Sequence, residues 1–430
     1  MNQITGWVKR YTTVIRENRT ILIICAATAI SMTGFGIISP VLPLFAREFG
    51  VGNAAIGFVV GIYGLSRLCI NLPAGILGER LGRKNLMWVG LAINGVCLYM
   101  TGRSQSIGDM AVWRFMSGGG AAMYMTGAMS YIADISTSEN RGRMMSLQLG
   151  SLLLGTDIGP IIGGFVADRM GFRWPFYLAA IFACLASMWV LTHLKESRRD
   201  INKPSSTDSQ PTSRKPIIDL DFQTMGRLLT NPTFLFVSCF TLLVFFTRTG
   251  SRQTLLPLLA VEQAGMSATK IGVLFTFMTA INLLLVLPVG SLTDRLGRKA
   301  VILPGVILSL AGLSIFSWSA NIPLFFVGAF ITGLGTGMIG PAPAAYIMDL
   351  APPGKTGITV GLYRSFGDLG AILGPLLLGY IADLFHDKFT AIPGQGVAME
   401  FNAVMLVVFG LLLLTFGKET AGKNQTDAAS

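Results

Sequence analysis

The chain has 430 residues, 52% of them hydrophobic and only 13% charged, with a mean hydropathy of +0.60, a balance well outside soluble averages. A formal charge of +11 would indicate nucleic acid only if the Lys and Arg formed a patch. They stand instead between apolar runs, so composition excludes a soluble enzyme and a nucleic-acid-binding module.

A bilayer core demands about 17 to 25 apolar residues per helix. Twelve such runs occur, over 20–46, 53–78, 85–102, 110–133, 144–167, 174–194, 231–260, 271–293, 300–319, 322–348, 356–382 and 399–417. The first begins like a signal peptide, but it continues unbroken to Ala46 and reads as a retained span. Before it, Trp7, Val8, Tyr11, Val14 and Ile15 have helical spacing that fits either a helix lying along the inner leaflet or a solvated leader. The ninth and tenth runs come from one uncharged stretch that divides at Ser319 to Pro323. The expected fold is therefore an all-α membrane protein. Cytoplasmic loops carry an excess of Lys and Arg. Placing both termini inside leaves only Arg47, Arg103, Arg169, Arg173, Lys270 and Lys388 on the outer side, so the chain is expected in the cell (inner) membrane with cytoplasmic termini. Cys25, Cys69, Cys97, Cys184 and Cys239 are scattered singly through the spans and read as small core residues.

A repeat at one fixed offset is the most specific feature. Gly75-Ile-Leu-Gly-Glu79-Arg80-Leu-Gly82-Arg83-Lys84 follows the second run, and Gly290-Ser-Leu-Thr-Asp294-Arg295-Leu-Gly297-Arg298-Lys299 follows the eighth. The same offset carries Asp134 to Asp349, Gly159-Pro160 to Gly374-Pro375, Gly164 to Gly379 and Asp168 to Asp383. Two six-helix bundles inserted in one orientation imply a pseudo-twofold axis along the membrane normal, with a site near the midplane between them. The bundles are expected over 1–195 and 231–430, joined by a flexible cytoplasmic linker, 196–230, that begins in a charge run and is rich in Pro, Ser and Thr.

These residues resemble the major facilitator superfamily over nearly the whole chain. Gly-x-Leu-x-Asp-Arg-x-Gly-Arg-Lys is that family's hallmark loop and occurs twice, with Glu79 in place of Asp in the first copy. The resemblance implies a cytoplasmic latch in which the acidic residue pairs with nearby Arg and a helix end. Its gating set is Gly75, Glu79, Arg80, Gly82, Arg83, Asp134 and Arg141, with Gly290, Asp294, Arg295, Gly297, Arg298 and Asp349 in the second half. Three further motifs are similar to those of twelve-span drug:proton antiporters: Gly34 with Pro40-Val41-Leu42-Pro43, Arg114 with Gly118 to Ala122, and Gly155-x-x-x-Gly159-Pro160-x-x-Gly163-Gly164. The resemblance makes the Arg114 motif part of proton transfer and the last motif characteristic of antiport. On spacing alone, Gly155, Gly159 and Gly163 make a smooth seam for close approach of another helix, static or moving, and Pro160 permits a bend.

Seven ionisable residues lie deep in the spans: Arg67, Arg114, Asp157, Arg248, Arg252, Arg364 and Asp368. Unpaired, they would together cost on the order of 20 kcal/mol, so they are functional candidates. Arg364 and Asp368 share a helix face as a local ion pair. Asp157 lies across the helix from the glycine seam and is expected to point into its own bundle. Arg67, Arg114, Arg248 and Arg252 are expected to line the substrate cavity, and Asp368, Asp157, Arg114 and Arg364 to couple protons. No metal cluster, phosphate loop or nucleophile constellation is present, and no cofactor is expected. The reading is a monomeric secondary transporter whose partners are a small-molecule substrate, protons and lipid. Proton antiport with export leads; a symporter importing a metabolite or organic anion shares every fold feature. A membrane-embedded enzyme would need convergent catalytic groups that the spans do not supply.

Overall fold

The computed structural model describes residues 19–137, 140–196, 222–352, 355–385 and 392–416. All regular structure there is helical. The first half comprises α1 (Arg19–Ile38), continued past Pro40 by α2 (Leu42–Arg47), then α3 (Asn53–Leu81), α4 (Arg83–Arg103), α5 (Ile107–Ile135), α6 (Arg141–Met170) and α7 (Trp174–His193). Short α8 (Phe222–Thr230) precedes a composite seventh rod, which is α9 (Pro232–Phe246), a π-helix (Thr247–Leu255) and α10 (Leu256–Ala264). Then follow α11 (Ala268–Leu296), α12 (Arg298–Trp318), α13 (Ile322–Ile339) continued by α14 (Pro341–Leu350), α15 (Thr356–Leu384) and α16 (Gly394–Phe416).

These make the twelve rods expected. Ten are long and apolar enough by themselves to cross a membrane. The other two, α4 and α5, are equally long but more polar, carrying Asn94 on one and Asp109, Arg114 and Gly118 to Gly120 on the other. Such polar stretches are tolerated at membrane depth when they are buried against protein. Most of the linker, 197–221, lies outside the described residues, as do residues 1–18, His386 and Lys388; the linker's described end folds as α8.

In the first half, α1 packs on α6 and α7, and α5 packs on α3 and α4; in the second, α12 packs on α13 and α16, and α9 on α15. Gly82 and Gly297, at matched positions of the hallmark loops, break the chain between α3 and α4 and between α11 and α12 with φ of +95° and +99°. A side chain there would be strained, which accounts for glycine at both.

The halves meet crosswise, α3 against α15 and α6 against α11. The two contacts are copies of each other under the repeat. A Cβ on Gly57 would land on the Pro375 carbonyl, and one on Gly272 would land on the Pro160 carbonyl. At the same end Asp168 caps α11, its oxygens accepting from Ala268 N at 2.9 Å and Thr269 N at 2.8 Å. Asp383 caps α3 in the same way, accepting from Asn53 N and Ala54 N at 2.8 Å each. Between these caps Arg47 Nη2 bonds Glu262 Oε2 at 2.9 Å. The two residues are 215 apart, so they are equivalent positions and meet on the pseudo-twofold axis.

The Gly155, Gly159 and Gly163 seam serves a contact inside the first half. Added Cβ atoms would come within 2.5 Å of Ala29 O at Gly155 and 2.6 Å of the Gly36 backbone at Gly159, and onto Ile37 O at Gly163, all on α1 or the turn that follows it. Only the neighbouring Gly164 turns to the other half, against Ala268.

Gly57→Leu and Gly272→Leu force the same two backbones apart by symmetry. Each is expected to insert normally and to reduce transport at least about tenfold, with spin labels on the 48–52 and 265–267 loops moving to longer distances. Unchanged distances in both variants would show that this contact does not hold the halves.

Candidate functional site

The crosswise contacts bring charged residues from both halves to one seam. Asp368 on α15 faces Arg67 on α3, with Arg67 Nη2 at 3.8 Å from Asp368 Oδ1. Arg248, on the π-helix, is the electrostatic neighbour of both Arg67 and Asp157, and its side chain is exposed within the open seam. Arg252, one turn along, has Asp157 as its carboxylate neighbour, donates to Thr279 Oγ1 at 3.3 Å and lies 5.7 Å from the centre of the Phe275 ring. Asp157 itself is buried. Its backbone carbonyl accepts from Thr276 on α11 at 2.7 Å. The result is a series of neighbouring charges, Asp368, Arg67, Arg248, Asp157 and Arg252, in which every step crosses between the halves, four crossings in all.

Two expectations are corrected here. Asp157 points out of its own bundle, toward α11 and the π-helix of the other half. Being opposite the glycine seam was read rightly, but the face opposite α1 is the one covered by α11. Asp368 takes its ion pair from Arg67 in the other half, and not from Arg364 one turn away on its own helix. Arg364 is exposed and reaches Met129 Sδ at 3.5 Å. Spacing within one helix allows a pair, and tertiary packing offered a competing cation.

Arg114 is a third correction. It does not join this seam but lies inside the first bundle, 3% exposed, 4.5 Å from the centre of the Tyr63 ring.

The π-helix is a feature that sequence reasoning missed. Pro257 at the start of α10 lacks the N–H that an α-helical ladder would need there, and the widened turns precede it, with Leu256 N donating to Ser251 O. Buried Asn402 on α16 holds these turns, its Nδ2 donating to Ser251 Oγ at 2.8 Å and to Thr247 Oγ1 at 3.1 Å. π-helical insertions within α-helices recur at functional sites, and this one presents Arg248 and Arg252 to the seam. The signal in the sequence was the polar run Thr247 to Gln253 followed by Pro257.

At the opposite end the hallmark loops form two matched sites. Arg83 Nε pairs with Asp134 Oδ2 at 3.5 Å, and Arg298 Nε with Asp349 Oδ2 at 3.2 Å. Glu196, which sequence reasoning left in the linker, caps α4 by accepting from Arg83 N at 2.8 Å. Glu79 and Arg80 are exposed; the side chains of Arg141, Asp294 and Arg295 lie outside the described residues. Glu400, also missed, is held on α16 by Ser314 Oγ at 2.9 Å and Trp318 Nε1 at 3.1 Å. Among the described residues no group of His, Cys, Asp or Glu is placed to hold a metal.

Two helical bundles joined crosswise around charged groups at mid-span define the class, a membrane transporter built from parallel repeats. The sequence matches the Major Facilitator Superfamily over residues 24–252 and again over 241–430, and the chain belongs to that family of transporters, which move small molecules across membranes and are not enzymes. Multidrug resistance protein 2 of Bacillus subtilis is 27% identical over 400 residues, covering 90% of this chain and 96% of its own. Quinolone resistance protein NorA of Staphylococcus aureus is 24% identical over 393 residues, covering 91% and 96%. An uncharacterized MFS-type transporter of Methanocaldococcus jannaschii is 23% identical over 395 residues, covering 92% and 97%. Among solved structures, the occupied, inward-facing bacterial homolog of the human lysosomal transporter Spinster has a TM-score of 0.76 at 14% identity, covering 94% of this chain and 97% of that one. The nucleoside transporter NupG has a TM-score of 0.71 at 14% identity, covering 92% and 98%. Both likenesses bear on the fold alone.

Asn402→Leu removes the side chain that ties the π-helix to α16 and leaves polar groups buried beside it. A loss of about 1–2 kcal/mol is expected, read as a fall of about 2–4 °C in thermal unfolding of the purified protein. No fall would show that Pro257 alone sets the widened turns.

Proposed function

We propose that the chain is a proton-driven antiporter that exports small organic molecules across the inner membrane by alternating access. The observation that carries this reading is the ion pair between Arg67 and Asp368, which spans the two halves at the middle of α3 and α15. A carboxylate there takes up a proton at the cost of an inter-half contact, so protonation and separation of the halves are linked. The antiporter motif on α6 and the drug-resistance names of the relatives support export.

The excess of Lys and Arg at the hallmark-loop end supports a cytoplasmic location for that end and for both termini. The halves are then sealed outside by Asp168, Asp383 and the Arg47–Glu262 pair, and the conformation is inward-facing. In the opposite state the hallmark loops serve as the latch between the halves. The single chain supplies both halves of the pathway and works as a monomer.

The seam holds Arg67, Arg248 and Arg252 against Asp157 and Asp368. Such a site favours anionic or zwitterionic substrates over lipophilic cations. Arginine keeps its proton throughout the accessible pH range, so the coupling group is one of the two carboxylates. Asp368 is favoured because its partner sits on the other moving body.

In proteoliposomes, Asp368→Asn is expected to lose transport driven by a pH gradient by about tenfold or more while keeping energy-independent counterflow; Asp157→Asn is the comparison. Full pH-driven transport in the double variant would end the proposal, and substrate uptake in the same direction as proton flow would replace antiport with symport.

A further inference from the structure

The arginines at the seam each have a carboxylate, a hydroxyl or a sulfur beside them, whereas no side chain accepts from Nε or Nη1 of Arg114. Its side chain is 3% exposed, and its Nε and Nη1 lie buried without a hydrogen-bond partner. The Tyr63 ring, 4.5 Å away, offsets part of the charge but accepts neither N–H. Among the described residues no carboxylate forms an ion pair with Arg114. A buried guanidinium so placed carries a desolvation penalty that neutral dipoles do not repay.

The side chain borders a small cavity within the first bundle, between α1, α3, α4 and α5, which it shares with Ser31, Tyr63, Asn94, Ser117 and Tyr124. The space is sized for roughly one water. In its polar lining Asn94 supplies the donor. Ser117 Oγ gives its hydrogen to Asn94 Oδ1 at 2.6 Å, which occupies the amide oxygen and leaves the Asn94 N–H groups as donors. Thr28 gives its hydrogen to the Ile24 carbonyl, so the Tyr124 hydroxyl donates to Thr28 Oγ1 at 2.6 Å and offers nothing further to donate. None of the seam charges lines the cavity, and none of its lining residues is acidic.

A water there would complete the hydrogen bonds but leave a full positive charge in a medium of low dielectric. A small anion completes both. We propose that this cavity is a subsite for one small monoanionic group, a free halide or the carboxylate end of a substrate, bound by Arg114 with Asn94 as second donor. Charge-assisted hydrogen bonds from a guanidinium suit either occupant. The size of the cavity excludes anions as large as sulfate or phosphate. The subsite is independent of the coupling carboxylates, so failure of proton-driven antiport leaves it standing, and its own failure leaves antiport standing.

The test uses the purified full chain in lipid nanodiscs with no substrate, in a sodium salt of a bulky sulfonate buffer. Chloride, bromide or acetate is titrated in at constant ionic strength and pH, and thermal unfolding is followed. A saturable rise of about 2–5 °C is expected, absent in Arg114→Gln. A response to halides alone assigns the subsite to a free ion; an equal response to acetate that competes with bromide assigns it to a carboxylate. A flat response to all three anions overturns the proposal, as does a rise that survives in Arg114→Gln. Because that variant removes a bundle-core residue, crystals of the unaltered protein in bromide give a second readout. An anomalous peak beside Nε and Nη1 of Arg114 is expected, and an ordered Arg114 with no peak beside it counts against the subsite.

Discussion

Where Gly57 meets the Pro375 carbonyl and Gly272 meets the Pro160 carbonyl, helix backbones from the two halves touch with no side chain between them. Every other feature of the closed end depends on that approach. It brings the N-termini of α3 and α11 within reach of Asp383 and Asp168, whose carboxylates satisfy donors that would otherwise be orphaned at a helix start. It also brings Arg47 and Glu262 together on the axis. A residue on a twofold axis meets its own counterpart, so a favourable contact there requires the repeat to have diverged into opposite charges.

The same approach sets the cost of charge inside the membrane. Asp157 and Asp368 each face arginines of the other half, so the charge around them depends on the halves being assembled in this relation. An ion pair wholly within one helix would survive any motion of the halves; a pair across the seam does not. Energetics and dynamics are therefore joined at these residues, and a change in protonation or a bound ligand alters the balance between conformations by its differential contacts alone. The π-helix adds a structural requirement, because its widened turns need the Asn402 amide to stay ordered while presenting two cations to the seam.

Much of this was legible without coordinates, for specific reasons. Rod number followed from the thickness of hydrocarbon, and the repeat marked Gly82 with Gly297 and Asp134 with Asp349 as equivalent positions; that Arg83 pairs with Asp134 and Arg298 with Asp349 came from the structure. The partners of Asp368 and Asp157 were misread because sequence periodicity reports only which residues share a helix face. Arg364 stood one turn from Asp368, and nothing in the spacing ranked it against Arg67, about 300 residues away. Glu196 was lost for a similar reason: a charge in a linker gives no sign of the helix end it will cap.

The amino-acid sequence by itself determined that the protein is an α-helical membrane transporter of two repeated halves, because hydrophobic length and a fixed offset are properties of the chain that survive any choice of packing. It also determined which residues had to be explained, since a charge in an apolar run is costly wherever it ends up. Which charge neutralises which, which glycine face meets which helix, and that Arg114 is enclosed in one bundle away from the seam were decided only by the tertiary structure. Those relations depend on distances between rods, and a side chain on one helix has no pattern in sequence that points to its partner on another.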